Sequence, residues 1–490
     1  MTLMLEIERD GTVVESSMPL RDGINTWGNV IGCFDPDTLE VHPLDNDMSS
    51  PFPVEQATHL VGDAILIHCE GGRILSVAPD LGGVRDLFWT PGVNGGYRLS
   101  DDFYAMAPHA ASTEVFRHVL DFFVTHGQFL PGDTLLSEVR RVAPGRRLRF
   151  DERHGMVEID AFEGQRADGK RVLDYAMFRK ALASTMAVQS RPEERRAIML
   201  SGGCDSGLIA ALECRATGPR PIAVTYELQP GSANQASDIA GAERVAEHLE
   251  LEHLKVPVAL DRMGLDILDP VVDRMPMAAH LGVGQYAAVR RAAEAGADMA
   301  WCGQNADALY NLGPTAILQR GGGKESTIKR FFLTKPYLAT LKDVEGGGAS
   351  RLPIRALGQV GAMLLSRRLR TRFRQPATFD EFKNAFLESD RYVALPRDDT
   401  PPVTSSHASI TTLDARRQLF SSKLGLTLVG RNPRIIYTSG AIADIRTVLP
   451  FSAANMIHFF RDIQMTWKDV LRPKHFVYRY SIDSVGRAFF

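Results

Sequence analysis

The fold of the second half of this chain is decided by one stretch of seven residues, Leu200-Ser201-Gly202-Gly203-Cys204-Asp205-Ser206. Apolar runs on either side predict a buried strand that ends before it and a helix that starts within it. A Gly-Gly turn between a strand and a helix lets backbone N–H groups approach an anion, and the helix N-terminus adds donors and a favourable dipole. The stretch therefore predicts a phosphate site, unless it is only the start of an N-capped helix.

This stretch resembles the SGGxDS pyrophosphate-binding loop of ATP pyrophosphatases, enzymes that split ATP into AMP and pyrophosphate. It has no lysine, unlike the GxxxxGK[ST] loop of other ATPases, and it carries an aspartate inside the turn. The resemblance implies that five residues of the loop contact the nucleotide: Ser201, Gly202, Gly203, Asp205 and Ser206.

The bulk composition describes an ordinary globular protein. With 490 residues, two or three domains are expected rather than a single core. A net charge of −3 gives no argument for nucleic acid as a partner, and no apolar run predicts a transmembrane segment. The N-terminus has no basic start, and the five scattered cysteines form no CxxC pair. These features predict reduced thiols and a cytoplasmic protein without a signal peptide.

The texture of the chain changes about a third of the way along. Up to about residue 160, short β-branched runs predict an antiparallel, strand-rich layer, with a helix near 115–125 and a polar linker at 163–170. From about 171, helices and short apolar strands alternate, which predicts a parallel sheet with crossover helices. The main predicted strands are at 12–14, 39–41, 64–68, 73–77, 197–200, 221–226, 254–258 and 298–303.

A second glycine turn, Gly303-Gln304-Asn305-Ala306-Asp307, follows another predicted strand. Asp205 and Asp307 both come just after strand C-terminal ends, where open α/β sheets bind ligands. Magnesium on a polyphosphate commonly uses one or two carboxylates and water, so these two aspartates are predicted to hold Mg²⁺. A helix N-cap is the alternative role for Asp307.

Two further segments are candidates for contacts with a nucleotide. Backbone groups of Val224 and Tyr226, at the end of the next strand, are predicted to meet an adenine, although a plain buried strand explains them equally well. Lys468, with Lys474 as a second candidate, could place an ammonium near an α-phosphate and stabilise the charge that develops there. The alternative for both lysines is a solvated surface.

Together these pieces resemble the asparagine synthetase family over most of the chain. Residues 303–310 are similar to its SGEGADELF element, with Gln304 in place of the glutamate, and residues 468–472 fit its KxxLR segment, which places the synthetase lysine at Lys468. The resemblance implies an α/β protein: an ATP-pyrophosphatase-type parallel sheet with helices at 166–490, preceded by an N-terminal nucleophile-hydrolase-like antiparallel α+β domain at 1–165. It also implies ATP and Mg²⁺ as cofactors.

The departures from that family carry information. Members that hydrolyse glutamine have a cysteine after the initiator methionine, where this chain has Thr2, and their glutamine-holding motifs are unrecognisable in residues 20–100. The first domain is therefore interpreted as a degenerate class II glutaminase kept as scaffold. Thr2 as a live nucleophile stays an alternative.

A synthetase without glutamine hydrolysis must take its amine elsewhere. Relatives of this kind resemble β-lactam synthetases, carbapenam synthetases and lasso-peptide cyclases, which close a ring on an adenylated carboxylate. The β-lactam type uses a tyrosine-glutamate dyad, with the tyrosine three residues before the second acid. Gln304 stands at that position and cannot act as a base, which favours a lasso-type peptide or natural-product cyclase. Gln304 and Lys468 are the residues assigned to the catalytic centre. An amide formed from free ammonia, and a non-catalytic scaffold on a decayed synthetase, remain open.

The expected partners follow from that interpretation. They are a carboxylate substrate such as a precursor peptide, a partner protease or leader-binding protein, and a second copy of the chain. Seven arginines between residues 351 and 374 could dock an acidic leader, a partner protein or a lipid surface, or could form a solvated helix face.

Overall fold

The computed structural model covers most of the first 306 residues and two segments near the C-terminus. The described residues are 2–44, 58–92, 95–112, 114–115, 119, 132–161, 174–216, 218–229, 233–259, 279–306, 309, 432–463 and 475–486.

Two antiparallel sheets are built from the strands up to residue 160, with orders β2-β1-β8-β7-β9 and β11-β10-β6-β5-β3-β4. Their strands are β1 (Met4–Ile7), β2 (Val13–Ser16), β3 (Gly23–Phe34), β4 (Val41–Pro43), β5 (Leu60–Glu70), β6 (Arg73–Ala78), β7 (Phe88–Pro91), β8 (Tyr97–Ser100), β9 (Arg140–Arg141), β10 (Arg146–Asp151) and β11 (Gly155–Asp160). Side chains alternate between the two faces of a strand. Ile65 and Ile67 therefore join the main core, while Ala64 and Leu66 join a second cluster on the opposite face.

The remaining strands form a parallel sheet of order β14-β13-β12-β15-β16. They are β12 (Arg196–Met199), β13 (Ile222–Gln229), β14 (His253–Ala259), β15 (Met299–Cys302) and β16 (Arg446–Val448). The chain moves outward from β12 through β13 and β14, and then places β15 and β16 on the other side. The point between β12 and β15, where the strand order reverses, is where a sheet of this kind opens a crevice for ligands.

Helices connect and cover these sheets. They are α1 (Phe103–Met106), α2 (Tyr175–Gln189), α3 (Cys204–Glu213), α4 (Ala233–His248), α5 (Ala279–Glu294), α6 (Asn432–Ala443), α7 (Ala454–Asp462) and α8 (His475–Val485). Among the helices that the structure describes, none has the length and apolar character needed to cross a bilayer. All described strands lie in one compact unit made of residues 1–309, 424–463 and 476–490.

The mixed α/β class, with antiparallel strands before a parallel sheet, is confirmed. The strand prediction at 39–41 is wrong for its first part, because Asp35 accepts the N–H groups of Asp37 and Thr38 and turns the chain, so that Leu39 takes φ 60°. The helix predicted near 115–125, the linker at 163–170 and the boundary at 165 lie almost entirely outside the described residues.

Buried polar groups join the antiparallel sheets to later parts of the chain. The Asn455 side-chain amide, on α7, donates to the carbonyl of Leu39 at 3.0 Å and to Thr185 Oγ1, on α2, at 2.9 Å. Asp86 forms ion pairs with Arg141, at 3.2 Å, and with Arg434 on α6. Arg141 is only 2% exposed, and burial lowers the pKa of its guanidinium to about 9, with Arg434 adding to the shift. These contacts make residues from both ends of the chain parts of one core.

Candidate functional site

The loop that follows β12 carries the first group of predicted residues. The N–H of Leu200 still donates to the carbonyl of Val224 on the neighbouring strand, at 2.9 Å, and the chain then turns through Gly202 at φ 73°. Helix α3 begins at Cys204 with Gly203 as its N-cap, and no side chain caps it. A helix start of this kind leaves backbone donors directed towards the loop, as an anion requires.

Gly202 lies directly against helix α4. A Cβ at this position would overlap the carbonyl oxygen of Asp238 and lie 2.7 Å from the backbone nitrogen of Ala242. Both contacts are to backbone atoms, which cannot rotate away. The turn of the loop therefore requires glycine for its φ and for its space.

Two hydroxyls close the loop onto the first turn of α3. The Oγ atoms of Ser201 and Ser206 lie 3.0 Å apart, and the N–H of Ser201 donates to Ser206 Oγ at 3.1 Å. Ser206 is buried and also donates to the carbonyl of Gly203, whereas Ser201 and Gly203 are exposed. Ser206 thus holds the shape of the loop, and Ser201 and Gly203 form the surface that a ligand would meet.

A buried ion pair fixes the strand before the loop to the helix after it. Arg196 at the start of β12 and Glu213 at the end of α3 approach to 2.7 Å, and both side chains are 1% exposed. Burial raises the pKa of Glu213, and Arg196 opposes that shift. Because the pair ties both flanks of the loop, it limits how far the loop can move.

The second predicted turn touches the first. In the parallel sheet Met199 is opposite Cys302, so the ends of β12 and β15 lie side by side. A Cβ on Gly303 would be 3.1 Å from the nitrogen of Ser206 and 3.4 Å from Cβ of Asp205. The structure therefore brings Gly303 and the partly buried Gln304 to the same sheet edge as Asp205. Asp307, Lys468 and Lys474 lie outside the described residues.

Asn305 has a backbone that explains its residue type. It adopts φ 73°, is 6% exposed, and donates from its side-chain amide to Ser452 Oγ at 2.7 Å. Asparagine is among the few residues other than glycine that tolerate this left-handed region. The family element resembled here has glycine at this position, so the substitution preserves the backbone turn.

We expect Asn305→Ala to lower the free energy of unfolding by about 1–3 kcal/mol, because alanine is strained at this φ and leaves Ser452 without its donor. Asn305→Gly loses the same hydrogen bond but keeps the permitted backbone, so it should be more stable than the alanine variant by about 1 kcal/mol. Urea unfolding of both variants measures the difference. Equal stability would contradict the strain argument.

The two residues predicted to meet an adenine are placed differently from each other. Val224 is 1% exposed within the sheet core, and its carbonyl already accepts the N–H of Leu200. Tyr226 is partly buried, and its ring fills the space beside Gly284 on α5, where a Cβ would come within 2.7 Å. Burial raises the pKa of the Tyr226 hydroxyl, and the nearby Cys302 adds to the shift. The aromatic ring is thus the more accessible of the two candidates.

Sequence reasoning missed a polar tether behind the loop. Thr225 Oγ1 donates to the carbonyl of Leu200 at 2.7 Å and lies 2.8 Å from His253 Nε2. Because the threonine hydrogen points to Leu200, the imidazole must donate its Nε2–H to the hydroxyl. The available signal was one polar residue inside each of two apolar strand runs, a threonine in the first and a histidine in the second. Whether the two side chains meet depends on the strand register, which the sequence does not give.

This tether predicts a pH dependence of stability. Burial lowers the pKa of His253 from its ordinary 6.5, and Lys255 adds to the shift. The unfolded chain then binds the proton more readily than the folded one, so His253 makes stability fall as pH drops through 6.5 towards the lower folded pKa. His253→Gln keeps an N–H donor without titrating, so its thermal unfolding temperature should fall less between pH 7 and pH 5. Parallel curves for the two proteins would contradict this assignment.

The donors at this edge suit a polyphosphate with a hard cation. The loop brings three features together. They are the exposed backbone at Ser201 and Gly203, the uncapped start of helix α3, and the half-buried carboxylate of Asp205 in its first turn. Magnesium takes one or two carboxylates and completes its shell with phosphate oxygens and water. Asp205 fits as one such ligand, since its backbone lies against the second loop at Gly303.

The chain was compared with protein families, curated proteins and solved structures. A family model described as asparagine synthase matches residues 177–414. A comparison with curated proteins found no match. Among solved structures, the U34-tRNA thiolase NcsA from Methanococcus maripaludis, solved with its 4Fe-4S cluster, is 19% identical with a TM-score of 0.22, over 30% of this chain and 50% of that one. This chain thus spans half the length of that protein. The NH3-dependent NAD synthetase from Campylobacter jejuni, in complex with nitrate, is 16% identical with a TM-score of 0.21, over 45% of this chain and all of that one.

Proposed function

We propose that this protein is an ATP-dependent carbon–nitrogen ligase that forms AMP and pyrophosphate, since a family model described as asparagine synthase matches residues 177–414. The observation that carries the proposal is the contact between the two glycine loops. The loop at 201–206 and the turn at Gly303 meet at the reversal of strand order, against the backbone of Asp205. A site at that position can grip a polyphosphate on one side and a cation on the other.

The proposed reaction has two steps. An oxygen of the substrate carboxylate attacks the α-phosphorus of ATP, and the bond to the β-phosphate oxygen breaks and releases pyrophosphate. An amine then attacks the acyl carbon, AMP leaves, and the amine loses its proton. Magnesium, when bound, neutralises charge on the phosphates. The loop at 201–206 would hold the pyrophosphate, Asp205 and Asp307 would hold magnesium, and Lys468 would stabilise charge at the α-phosphate.

The first domain supports an amine source other than glutamine. The backbone N–H of Leu3 donates to Asp101 Oδ1 at 2.8 Å, and Trp27 Nε1 donates to Oδ2 at 2.7 Å. Both carboxylate oxygens of Asp101, which lies next to the Thr2 segment, therefore accept hydrogen bonds that hold the fold. In this interpretation Asp101 serves the fold rather than a glutamine substrate.

We therefore propose that the amine belongs to the substrate itself or to a second small molecule. Cyclisation of a peptide, of the lasso type, or of a natural-product precursor is the leading form, with a precursor peptide delivered by a partner protease or leader-binding protein. The turn at Asn305 argues against a decayed scaffold. Asparagine replaces the glycine of the family element here, and it is a residue that tolerates the left-handed backbone. Gln304 offers no base, so a reactive α-amine is the expected nucleophile.

The test is substrate-dependent release of AMP and pyrophosphate from ATP and Mg²⁺, with hydroxylamine present to trap the activated acyl group. Asp205→Asn should reduce turnover at least about a hundredfold, because it removes a carboxylate charge from the cation. Asp444→Asn is the matched control, since Asp444 is exposed and its φ of 56° suits asparagine.

Release of ADP, or full activity in Asp205→Asn, would overturn the mechanism. Glutamine hydrolysis that Thr2→Ala removes would overturn the interpretation of the first domain, and activity only with free ammonia would replace cyclisation by simple amidation.

A further inference from the structure

A cavity of about 70 Å³ lies on the face of the six-stranded sheet that points away from the main core. That volume is enough for about five ordered waters or one small organic molecule. Its lining combines apolar side chains, among them Ile24, Val30, Leu60 and Leu66, with the polar side chains of His68, Ser76, Asp80 and Arg147. None of these residues is among those assigned to the site proposed above, although Ser452, which also lines the cavity, accepts the side-chain amide of Asn305 in the second loop.

Strand register explains why the polar groups converge. His68 on β5 is opposite Ser76 on β6, and Leu148 on β10 is opposite Val77. Leu148 and Val77 are fully buried in the main core, so their neighbours Arg147 and Ser76 project from the other face. Three adjacent strands thus each contribute one polar side chain to the cavity.

Arg147 is the group that lacks a counterpart. Its Nε is buried and has no hydrogen-bond partner among the described residues, and no ion pair to it is present there. Arg146, the preceding residue, pairs with Glu158 at 3.3 Å, so acids are available to arginines on this strand. A buried donor without a partner costs free energy, which an anionic ligand would recover.

The other titratable groups of the cavity do not neutralise Arg147. His68 is half-buried, and burial lowers the pKa of its imidazole, while Glu70 opposes this shift and Arg147 adds to it. Asp80 accepts the N–H groups of Arg85 at 2.7 Å and Val84 at 3.1 Å, and so serves its own loop. Burial raises the pKa of Asp80 to about 7, so this carboxyl carries only part of a negative charge near neutral pH. Among the described residues that line the cavity, no carboxylate therefore pairs with Arg147.

We propose that this cavity binds a small carboxylate, whose two oxygens pair with the guanidinium of Arg147 and whose short apolar chain contacts Leu66 on the neighbouring part of the sheet. The planar arginine fork matches a carboxylate in two parallel hydrogen bonds. The apolar walls favour an aliphatic acid over a fully hydrated inorganic anion, and the volume admits a chain of only a few carbons.

The experiment titrates propionate, and separately propionamide of the same shape, into the full-length protein at constant ionic strength, followed by calorimetry and NMR. Propionate should bind saturably and propionamide should not. Arg147→Met keeps the aliphatic stem and should weaken propionate binding at least about tenfold. Arg147→Lys keeps the charge without the fork and should weaken it by a smaller factor.

Arg149→Met is the matched control, because Arg149 is two residues along the same strand and exposed. It should change the affinity by less than about twofold. Circular dichroism establishes that each variant is folded, and Arg147→Lys keeps the test valid should the methionine variant not fold. Equal binding of acid and amide, absence of saturation, or unchanged affinity in both Arg147 variants would overturn the proposal.

Discussion

Replacing Gly202 by alanine should abolish nucleotide binding and lower the free energy of unfolding by about 2–4 kcal/mol. The reason is geometric. Gly202 has φ 73°, which alanine adopts only with strain, and the added methyl group would overlap the Asp238 carbonyl on α4. Relief requires the helix or the loop to move, and the loop is held by the Ser201–Ser206 hydrogen bonds. The phosphate-facing backbone would therefore lose its shape.

The matched control for stability is Gly203→Ala, one residue further on. Gly203 has φ −82°, and its added Cβ would meet only Ser201 Oγ, at 3.5 Å. Its stability should change by no more than about 0.5 kcal/mol. Calorimetric titration with ATP and Mg²⁺, together with urea unfolding, measures both quantities. A Gly202→Ala protein that keeps its stability and its nucleotide affinity would show that the loop does not bind phosphate in this shape.

Replacing Asp86 by alanine should lower the free energy of unfolding by about 3–5 kcal/mol. Asp86 is the carboxylate between Arg141 and Arg434, and its removal leaves two guanidinium groups facing each other with little access to water. Most of this loss should come from Arg141, because its side chain is only 2% exposed and cannot turn to solvent. The loss should also separate α6 from the antiparallel sheets, since Arg434 is on that helix.

Glu294→Ala provides the comparison for an ion pair at the surface. Its partner Arg290 is one helical turn away, and both side chains are nearly half exposed, so the change should be within about 0.5 kcal/mol. Chemical unfolding monitored by tryptophan fluorescence reports both variants. An Asp86→Ala protein as stable as Glu294→Ala would mean that water reaches the two arginines.

How far the sequence could predict this protein depends on the range of each interaction. Strands β12 to β15 and the loop after β12 were predictable, because apolar runs and a Gly-Gly turn are local signals. Strand β16 was not predicted, since three residues at a sheet edge show no periodicity. The turn at Leu39 was mistaken for a strand because its cause is the side chain of Asp35, four residues earlier.

The candidate site divides in the same way. Asp205 and Gly303 each follow a predicted strand, so the sequence predicts that they lie at one edge of the sheet. Their contact agrees with that expectation. The Thr225–His253 tether, the Asp238 carbonyl behind Gly202 and the Ser452 partner of Asn305 could not be predicted, because each joins elements whose register a sequence does not give. Asp307 and Lys468 stay predictions.

The Asn455 amide has a consequence for how the protein is made. Its acceptor, the Leu39 carbonyl, lies 416 positions earlier in the chain. A ribosome adding about 5–20 residues per second reaches position 455 about 20–80 s after position 39 has been translated. During that interval the early sheets lack part of their cover. Nascent chains stalled before α7 should therefore be open to proteases and chaperones, and should become resistant once this helix has left the exit tunnel.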